Sequence, residues 1–447
     1  MDPIPSCHVV AMPYPGRGHI NPMMNLCKLL ALDTNVLVTF IVTEEWLGFI
    51  SSTQKPSNLH FRSVPNVIPS ELGRAADLLG FMEAVFTKME VPVEELMDQL
   101  EGPPVRVIIA DTFNPWAVKV GIKRKIPVAS LWTMSPSVFT MFYHLDLLTE
   151  NKHFPVDLAE RGNEIVKYIP GISSVCLTDL PTIYSGQKVL NRVLESFDWA
   201  RKSQGIMFTC CYDLDTEVID ALRALLPFPV YPVGPLIPHT DLAETPSNAP
   251  NYMQWLDSQP RKSVLYVSLG SFLSVSSEQL EEIVAGVRSS GVRYLWVARG
   301  DTSRVQEACG EMGLVVSWCD QLRVLSYPSI GGFWTHCGWN STMEGAFAGV
   351  PMLTLPILFD QVPNAKQIVD DWKIGVRVKE SGSEVVVKRE DIAMTVQRFM
   401  DLDGDGSKQM RRRASELKET CRLALANGGS SASTLNAFVR EILQSHC

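Results

Sequence analysis

The sequence predicts an α/β protein: two doubly wound domains of parallel strands, facing each other across a cleft. Three observations carry this. Short continuous apolar runs, rich in β-branched residues, alternate with longer amphipathic stretches; strands of that kind are covered by helices on both faces. The alternation comes in two blocks, separated by Ile237 to Pro250, which reads IPHTDLAETPSNAP and has the polar, proline-rich composition of a linker. The 447 residues suit two or three domains of ordinary size.

In the first block the strand-like runs are Cys7–Tyr14, Val36–Thr43, Leu59–Val64, Val105–Ala110, Val128–Trp132, Gly205–Cys210 and Val230–Val233. Helical patterns at Pro22–Leu32, Leu78–Leu100 and Pro115–Lys123 separate several of them. The second block places strands at Ser263–Leu269, Tyr294–Ala298, Leu314–Ser317, Gly331–Thr335, Pro351–Leu355 and Gly375–Val378. Its helices fall at Glu278–Ser290, Thr342–Ala348, Asn364–Trp372, Arg389–Met400 and Lys408–Ala426. The chain thus divides into a domain at 1–236, a linker at 237–252, a domain at 253–427 and a tail at 428–447. Ligands of such folds sit beyond the carboxyl ends of the strands.

Composition narrows the function. Hydrophobic residues make up 46% and charged residues 20%, as in a packed globular protein. The formal net charge is -9, which disfavours general nucleic-acid or anionic-membrane binding. Apolar runs such as Val36 to Val42 are too short to span a bilayer. The N-terminal stretch lacks the basic flank and apolar core of a secretory signal, so a cytoplasmic protein is expected, working as a monomer. No His/Cys spacing resembles a zinc site, and no metal or cofactor is expected.

The first strand runs into Pro15-Gly16-Arg17-Gly18-His19, and Asn21 and Pro22 fit helix N-cap and N1 positions. A dinucleotide fingerprint would need its third glycine at position 21, where Asn21 stands. His19 lies between strand end and helix start, on the cleft side. A neutral imidazole there can take a proton from a hydroxyl near neutral pH; a loop or capping histidine is the plain alternative. Asp111 ends its own strand in the same sheet. Its carboxylate could orient the imidazole, or simply cap the helix starting near Asn114.

The richest stretch runs from Trp318 to Gln361. A strand enters His336-Cys337-Gly338-Trp339-Asn340-Ser341, and a helix follows, with Ser341 and Glu344 matching a capping box. The same helix start, preceded by Gly338, offers N–H groups to phosphate oxygens. His336 and Ser341 could add donors, Glu344 could accept from ribose hydroxyls, and Trp318 could stack on a base. Asp360 and Gln361 offer the mixed acceptors and donors that sugar hydroxyls need. Ser268-Leu269-Gly270-Ser271 is a second possible phosphate cradle.

With THCGWNST, Glu344, GVPM, Asp360-Gln361 and Asn364-Ala365 in place, the stretch closely resembles the signature of plant UDP-dependent glycosyltransferases acting on small molecules. Gly18-His19-Ile20-Asn21-Pro22 with Leu26 and Lys28, and the Asp111 strand end, are similar too. The resemblance implies two facing Rossmann-like domains, the GT-B fold, with the C-terminal helix (Ser431–Leu443) crossing back to the first domain. It implies metal-independent, inverting transfer from a UDP-sugar, UDP-glucose foremost given Gln361, to a small lipophilic acceptor. Carried over, His19 is the general base and Asp111 supports it. Trp318 stacks on uracil with Cys319 and Gln321 alongside, and Glu344 binds ribose. His336, Gly338, Asn340, Ser341 and Ser271 hold the diphosphate. Trp339, Asp360, Gln361 and Thr133 contact the sugar. Retention of His19 and Asp111 argues against the alternative of a catalytically silent nucleotide-sugar-binding protein.

The chain departs from the family pattern in places. Cys319-Asp320 replaces the usual Ala-Pro, and Asp320 puts a charge near the nucleobase rim; Tyr327 replaces a histidine and Gly345 a serine. First-domain loops, around 66–90 and 134–200, are expected to form the acceptor pocket. Phe81, Phe86, Trp116, Phe139, Phe142, Tyr143, Tyr184 and Phe197 are abundant in and near them and serve either an aromatic acceptor site or the core.

Overall fold

A computed structural model describes residues 7–182, 187–243, 250–270, 275–298, 305–306, 312–383 and 385–444. Seven parallel strands form the first sheet: β1 (Cys7–Met12), β2 (Val36–Thr43), β3 (Leu59–Val64), β4 (Val105–Asp111), β5 (Val128–Trp132), β8 (Gly205–Phe208) and β9 (Val230–Pro232). Their spatial order is β3-β2-β1-β4-β5-β8-β9. Six parallel strands form the second: β10 (Val264–Ser268), β11 (Arg293–Val297), β12 (Gly313–Val316), β13 (Ile330–Thr335), β14 (Met352–Thr354) and β15 (Gly375–Arg377). They run in the order β12-β11-β10-β13-β14-β15. Both strand orders and the covering helices make this the predicted pair of Rossmann-like units.

The central strands are apolar because both faces are covered, while the edge strand β3, LHFRSV, is partly exposed. All eight residues of β2 are buried. Along β1 and β4, Val10 and Ile108 join the core on one face of the sheet, while Val9 and Ile109 join the core on the other. That is the two-residue period of a strand packed on both sides. In each sheet the first strand is central, β1 between β2 and β4, β10 between β11 and β13. The chain order reverses there, and the loops leaving those strands open a crevice at their carboxyl ends.

Some boundaries move. The first helix is Arg17–Leu30, with Gly16 as N-cap, so Asn21 and Pro22 lie inside it rather than at its start. The run Leu78–Leu100 breaks into Leu78–Lys88 and Glu90–Asp98. Pro92 explains the break: its ring would clash with the carbonyl of Lys88 in a continuous helix, but fits the first turn of a new one. A two-stranded hairpin, β6 (Ile165–Val166) with β7 (Val175–Cys176), was not expected, since two-residue strands carry no period. Within the proline-rich segment, Pro250 already begins the helix Asn251–Asp257. At the other end, the helix Ser430–Phe438 packs onto the first sheet: Phe438 is fully buried there, its ring 5.4 Å from that of Tyr231. Among the described residues, no helix is long and apolar enough to cross a membrane.

Candidate active site

A cleft of about 620 Å³ lies between the sheets and draws its walls from both. On the first-sheet side, the loop after β1 turns straight into the helix Arg17–Leu30 and places His19 in its first turn. His19 Nδ1 lies 2.8 Å from Asp111 Oδ2 and 2.9 Å from Thr133 Oγ1. With Nδ1–H committed to these oxygens, Nε2 carries the lone pair. Asp111 is fully buried, and its other oxygen accepts from the Phe113 amide at 2.9 Å. It does not cap the helix Pro115–Arg124, whose N-cap is Asn114. The rings of Tyr14, at 5.0 Å, and Phe113, edge-on at 5.9 Å, wall the imidazole. Thr133, expected at the sugar, thus forms part of the histidine's support.

The wall on the second-sheet side starts at β13. Its helix is Trp339–Ala348 with Gly338 as N-cap, so the capping box does not form. The helix begins three residues earlier than a Ser341 cap would require, at Trp339 rather than Thr342. Ser341 and Glu344 instead share one partner: Gln321 Nε2 donates to Ser341 Oγ at 2.9 Å and to Glu344 Oε2 at 2.5 Å. Gln321 Oε1 accepts from the Tyr266 hydroxyl at 3.1 Å, and that hydroxyl lies 3.3 Å from Cys319 Sγ. The low-dielectric wall pushes the Glu344 carboxyl up to about 7, against the stabilising bond from Gln321. Tyr266 completes this network, yet a tyrosine within an apolar strand reads from sequence only as core.

His336 is gripped between two glycines. A Cβ on Gly270 would stand 2.7 Å from its Nε2, and one on Gly338 would stand 2.6 Å away. A side chain on either glycine would have to push the imidazole aside. Gly270 also has φ +90, which glycine adopts without strain. At the rim, Trp318 is 60% exposed, uncommon for so large an apolar ring, and lines the cleft. The departure at Asp320 resolves locally. Its carboxylate caps the helix Gln321–Leu325, accepting from the Arg323 amide at 3.1 Å, and pairs with Arg323 Nε at 3.4 Å.

Asp360 and Gln361 line the cleft. Asn364 Nδ2 donates to Asp360 Oδ2 at 2.8 Å, the Trp339 amide also bonds its carboxylate, and burial pushes its carboxyl up to about 6. Gln361 Oε1 accepts from the amides of Ile357 and Leu358, at 2.8 and 3.1 Å, leaving its Nε2 as the remaining donor. Trp339 lines the cleft too. Its indole donates from Nε1 to Thr209 Oγ1 at 3.1 Å and packs in the core shared by the two halves. Asn340 is committed as well, for a reason that lies in the other half. Pro22 has no N–H, so the Gly18 carbonyl lacks its helical donor; Asn340 Nδ2 supplies one at 2.9 Å.

Of the aromatic residues expected at the acceptor, Phe142 lines the cleft. Phe81, Phe86, Trp116 and Phe139 do not. They are buried in the core beneath it, Phe139 with ring neighbours Phe197 at 4.7 Å and Trp132 at 5.2 Å. An apolar helix face is spent on its own sheet before it can line a pocket. Tyr184 and Ser271 lie outside the described residues. The wall near His19 is made by Tyr14, Leu78, Met82, Phe113, Met134 and Val193, together with Arg17 and with Arg74, whose Nη2 pairs with Glu71 at 3.2 Å.

Comparison with known proteins agrees with this geometry. The family model described as "UDP-glucoronosyl and UDP-glucosyl transferase" matches residues 81–388. The chain belongs to this family. It is 52% identical over 441 residues to UDP-glycosyltransferase 87A2 of Arabidopsis thaliana, covering 97% of this chain and 96% of that one. Among solved structures it resembles Medicago truncatula UGT71G1 complexed with UDP-glucose: TM-score 0.82, 26% identity, 98% of both chains. It also resembles Phytolacca americana UGT2 complexed with UDP-2fluoro-glucose and pterostilbene: TM-score 0.82, 27% identity, 97% of this chain and 99% of that one. These are GT-B enzymes, and so is this glycosyltransferase, which uses UDP-sugar donors.

Proposed function

We propose that this glycosyltransferase moves glucose from UDP-glucose to a hydroxyl of a small lipophilic acceptor, inverting the anomeric carbon. The observation that carries the reading is the His19–Asp111 contact of 2.8 Å, set across the cleft from the Gln321–Ser341–Glu344 network. The acceptor oxygen attacks the anomeric carbon from the face opposite UDP. His19 Nε2 takes its proton as the new bond forms, and Asp111 stabilises the imidazolium. The bond to the diphosphate breaks, and its electron pair leaves with UDP. A single displacement inverts the centre, so no covalent intermediate is needed. The amides at the start of the helix Trp339–Ala348, with His336, meet the charge that develops on the leaving group, and no metal is called for.

In this reading Trp318 stacks on the base, Cys319 and Gln321 flank it, Glu344 takes the ribose, and Asp360 and Gln361 take the sugar. Ser341 and Asn340 complete the diphosphate site through the helix they stand on. The acceptor rests against Phe142, Phe113 and Met82. The complexes of the two solved relatives, with UDP-glucose and with UDP-2fluoro-glucose plus pterostilbene, support the choice of donor and of acceptor class. The working form is taken to be a cytoplasmic monomer.

The test is an acceptor-library screen with UDP-glucose, UDP-galactose and UDP-glucuronate, read by mass spectrometry, on wild type and His19→Ala. UDP-glucose should give the most product. His19→Ala should lose about 10²- to 10⁴-fold in transfer rate while still binding UDP. Full activity in His19→Ala would remove the general base from the mechanism.

A further inference from the structure

Phe359 has φ +60, a left-handed conformation that a bulky residue adopts only when its surroundings hold it there. It stands immediately before Asp360 and Gln361. The turn that carries them is fastened from within: Gln361 Oε1 takes the amides of Ile357 and Leu358, and the Gln361 amide donates to the Leu358 carbonyl at 3.3 Å. The Phe359 amide is answered from elsewhere. It donates to Thr182 Oγ1 at 2.7 Å, and the Thr182 amide donates back to the Phe359 carbonyl at 3.4 Å. Thr182 belongs to the first half of the chain, 177 residues away in sequence. Its segment keeps further contacts with the same face of the second half: Asp179 lies 3.9 Å from Arg377, and a Cβ on Gly382 would stand 2.7 Å from Thr178 Cγ2.

We propose that Thr182 is a positioning residue for the donor sugar. By holding Phe359 in its left-handed conformation from across the cleft, it sets the direction of Asp360 and Gln361. The sugar site is then complete only when the two halves are together, while Gln321, His336 and Glu344, on which the nucleotide site is built, all belong to the second half. The inference rests on the reading that Asp360 and Gln361 contact the sugar.

The two sites give separate readouts, because UDP occupies the nucleotide site alone and UDP-glucose occupies both. Thr182→Val keeps the shape and removes the hydroxyl acceptor. The ratio of the UDP-glucose Kd to the UDP Kd, measured by calorimetry on the full-length protein, should rise about three- to tenfold. UDP affinity alone should hold within about twofold, and Thr182→Ser should restore the ratio. Under turnover, KM for UDP-glucose should rise more than kcat falls. An unchanged ratio, or equal losses of UDP and UDP-glucose affinity, overturns the inference. Gln361→Ala separates the two levels. If it shifts the ratio and Thr182→Val does not, this inference alone fails; if Gln361→Ala leaves the ratio unchanged, the sugar-contact reading fails and takes the inference with it.

Discussion

At the scale of single residues, the site depends on what surrounds each reactive group. Asp111→Asn keeps the shape beside His19 but removes the charge that stabilises the imidazolium. Transfer should fall at least about 10²-fold with little change in UDP affinity, measured by initial rates and calorimetry. Gly338→Ala isolates a different contact. Its φ of -59 suits alanine, so the new Cβ, 2.6 Å from His336 Nε2, acts only by pushing the imidazole aside. UDP binding should weaken about tenfold, the value of one well-placed hydrogen bond; an unchanged Kd would take His336 out of the diphosphate site. His19 and Asp111 were legible in the sequence because one opens the helix that follows β1 and the other ends β4, the neighbouring strand at the point where the sheet order reverses. Tyr266 and Thr182 were not. One sits in an apolar strand and the other in a segment with no motif, and only the fold brings them to the cleft. Ser341 and Glu344 were found with two roles open, capping or donor binding, since their spacing fits a capping box whether or not the helix starts there; the helix starts at Trp339, and the box does not form.

Among the elements, long parallel strands were legible nearly to the residue, as β2 and β5 show, because burial on both faces leaves an unbroken run of buried, mostly apolar residues. Helix starts were harder. A proline marks a first turn only when nothing else caps the chain sooner, and at Pro22 the helix had already begun at Arg17. The misplaced start has a testable consequence. Pro22→Ala restores an N–H that can reach the Gly18 carbonyl, which then has a helical donor besides Asn340. Asn340→Ala should therefore cost about 1 kcal/mol more in the wild-type background than in the Pro22→Ala background, by denaturant unfolding. Additive losses would dissolve the link. The helix Trp339–Ala348 carries a second expectation. Arg323, the one Lys or Arg from Trp318 to Gln361, is turned to Asp320 and to the Asp241 carbonyl. UDP should therefore bind through amides and hydroxyls, with weak dependence on salt between low and physiological ionic strength. A steep dependence would call for other cations.

Across the whole molecule, the halves meet through a buried carboxyl. Gln367 Nε2 donates to Asp215 Oδ1 at 2.6 Å, and burial pushes the Asp215 carboxyl up from 3.8 to about 7. In the unfolded chain it ionises near 3.8; in the folded protein it stays neutral to about 7. Its contribution to stability is thus full below about 3.8 and declines as pH rises to about 7, by up to about 4 kcal/mol. Asp215→Asn cannot ionise. The difference in Tm between variant and wild type should move in the variant's favour by several degrees from about pH 5 to about pH 8. Parallel curves would remove Asp215 from the pH response. Nothing in the sequence around Asp215 announced this contact. Its partner is 152 residues away, and polar pairing between halves leaves no local pattern.

The returning helix bears on how such enzymes can be recombined. Phe438 and Ile442 are buried against the first sheet, and Glu441 accepts from the Tyr231 hydroxyl at 2.8 Å. By covalent order these residues follow the second half; by packing they belong to the first. A hybrid that takes its front from one parent and everything after the proline-rich segment from another would force a foreign helix into the Tyr231 groove. Hybrids need two crossovers, so that the tail keeps the parentage of the sheet it covers. The donor unit could then be exchanged as a cassette between them.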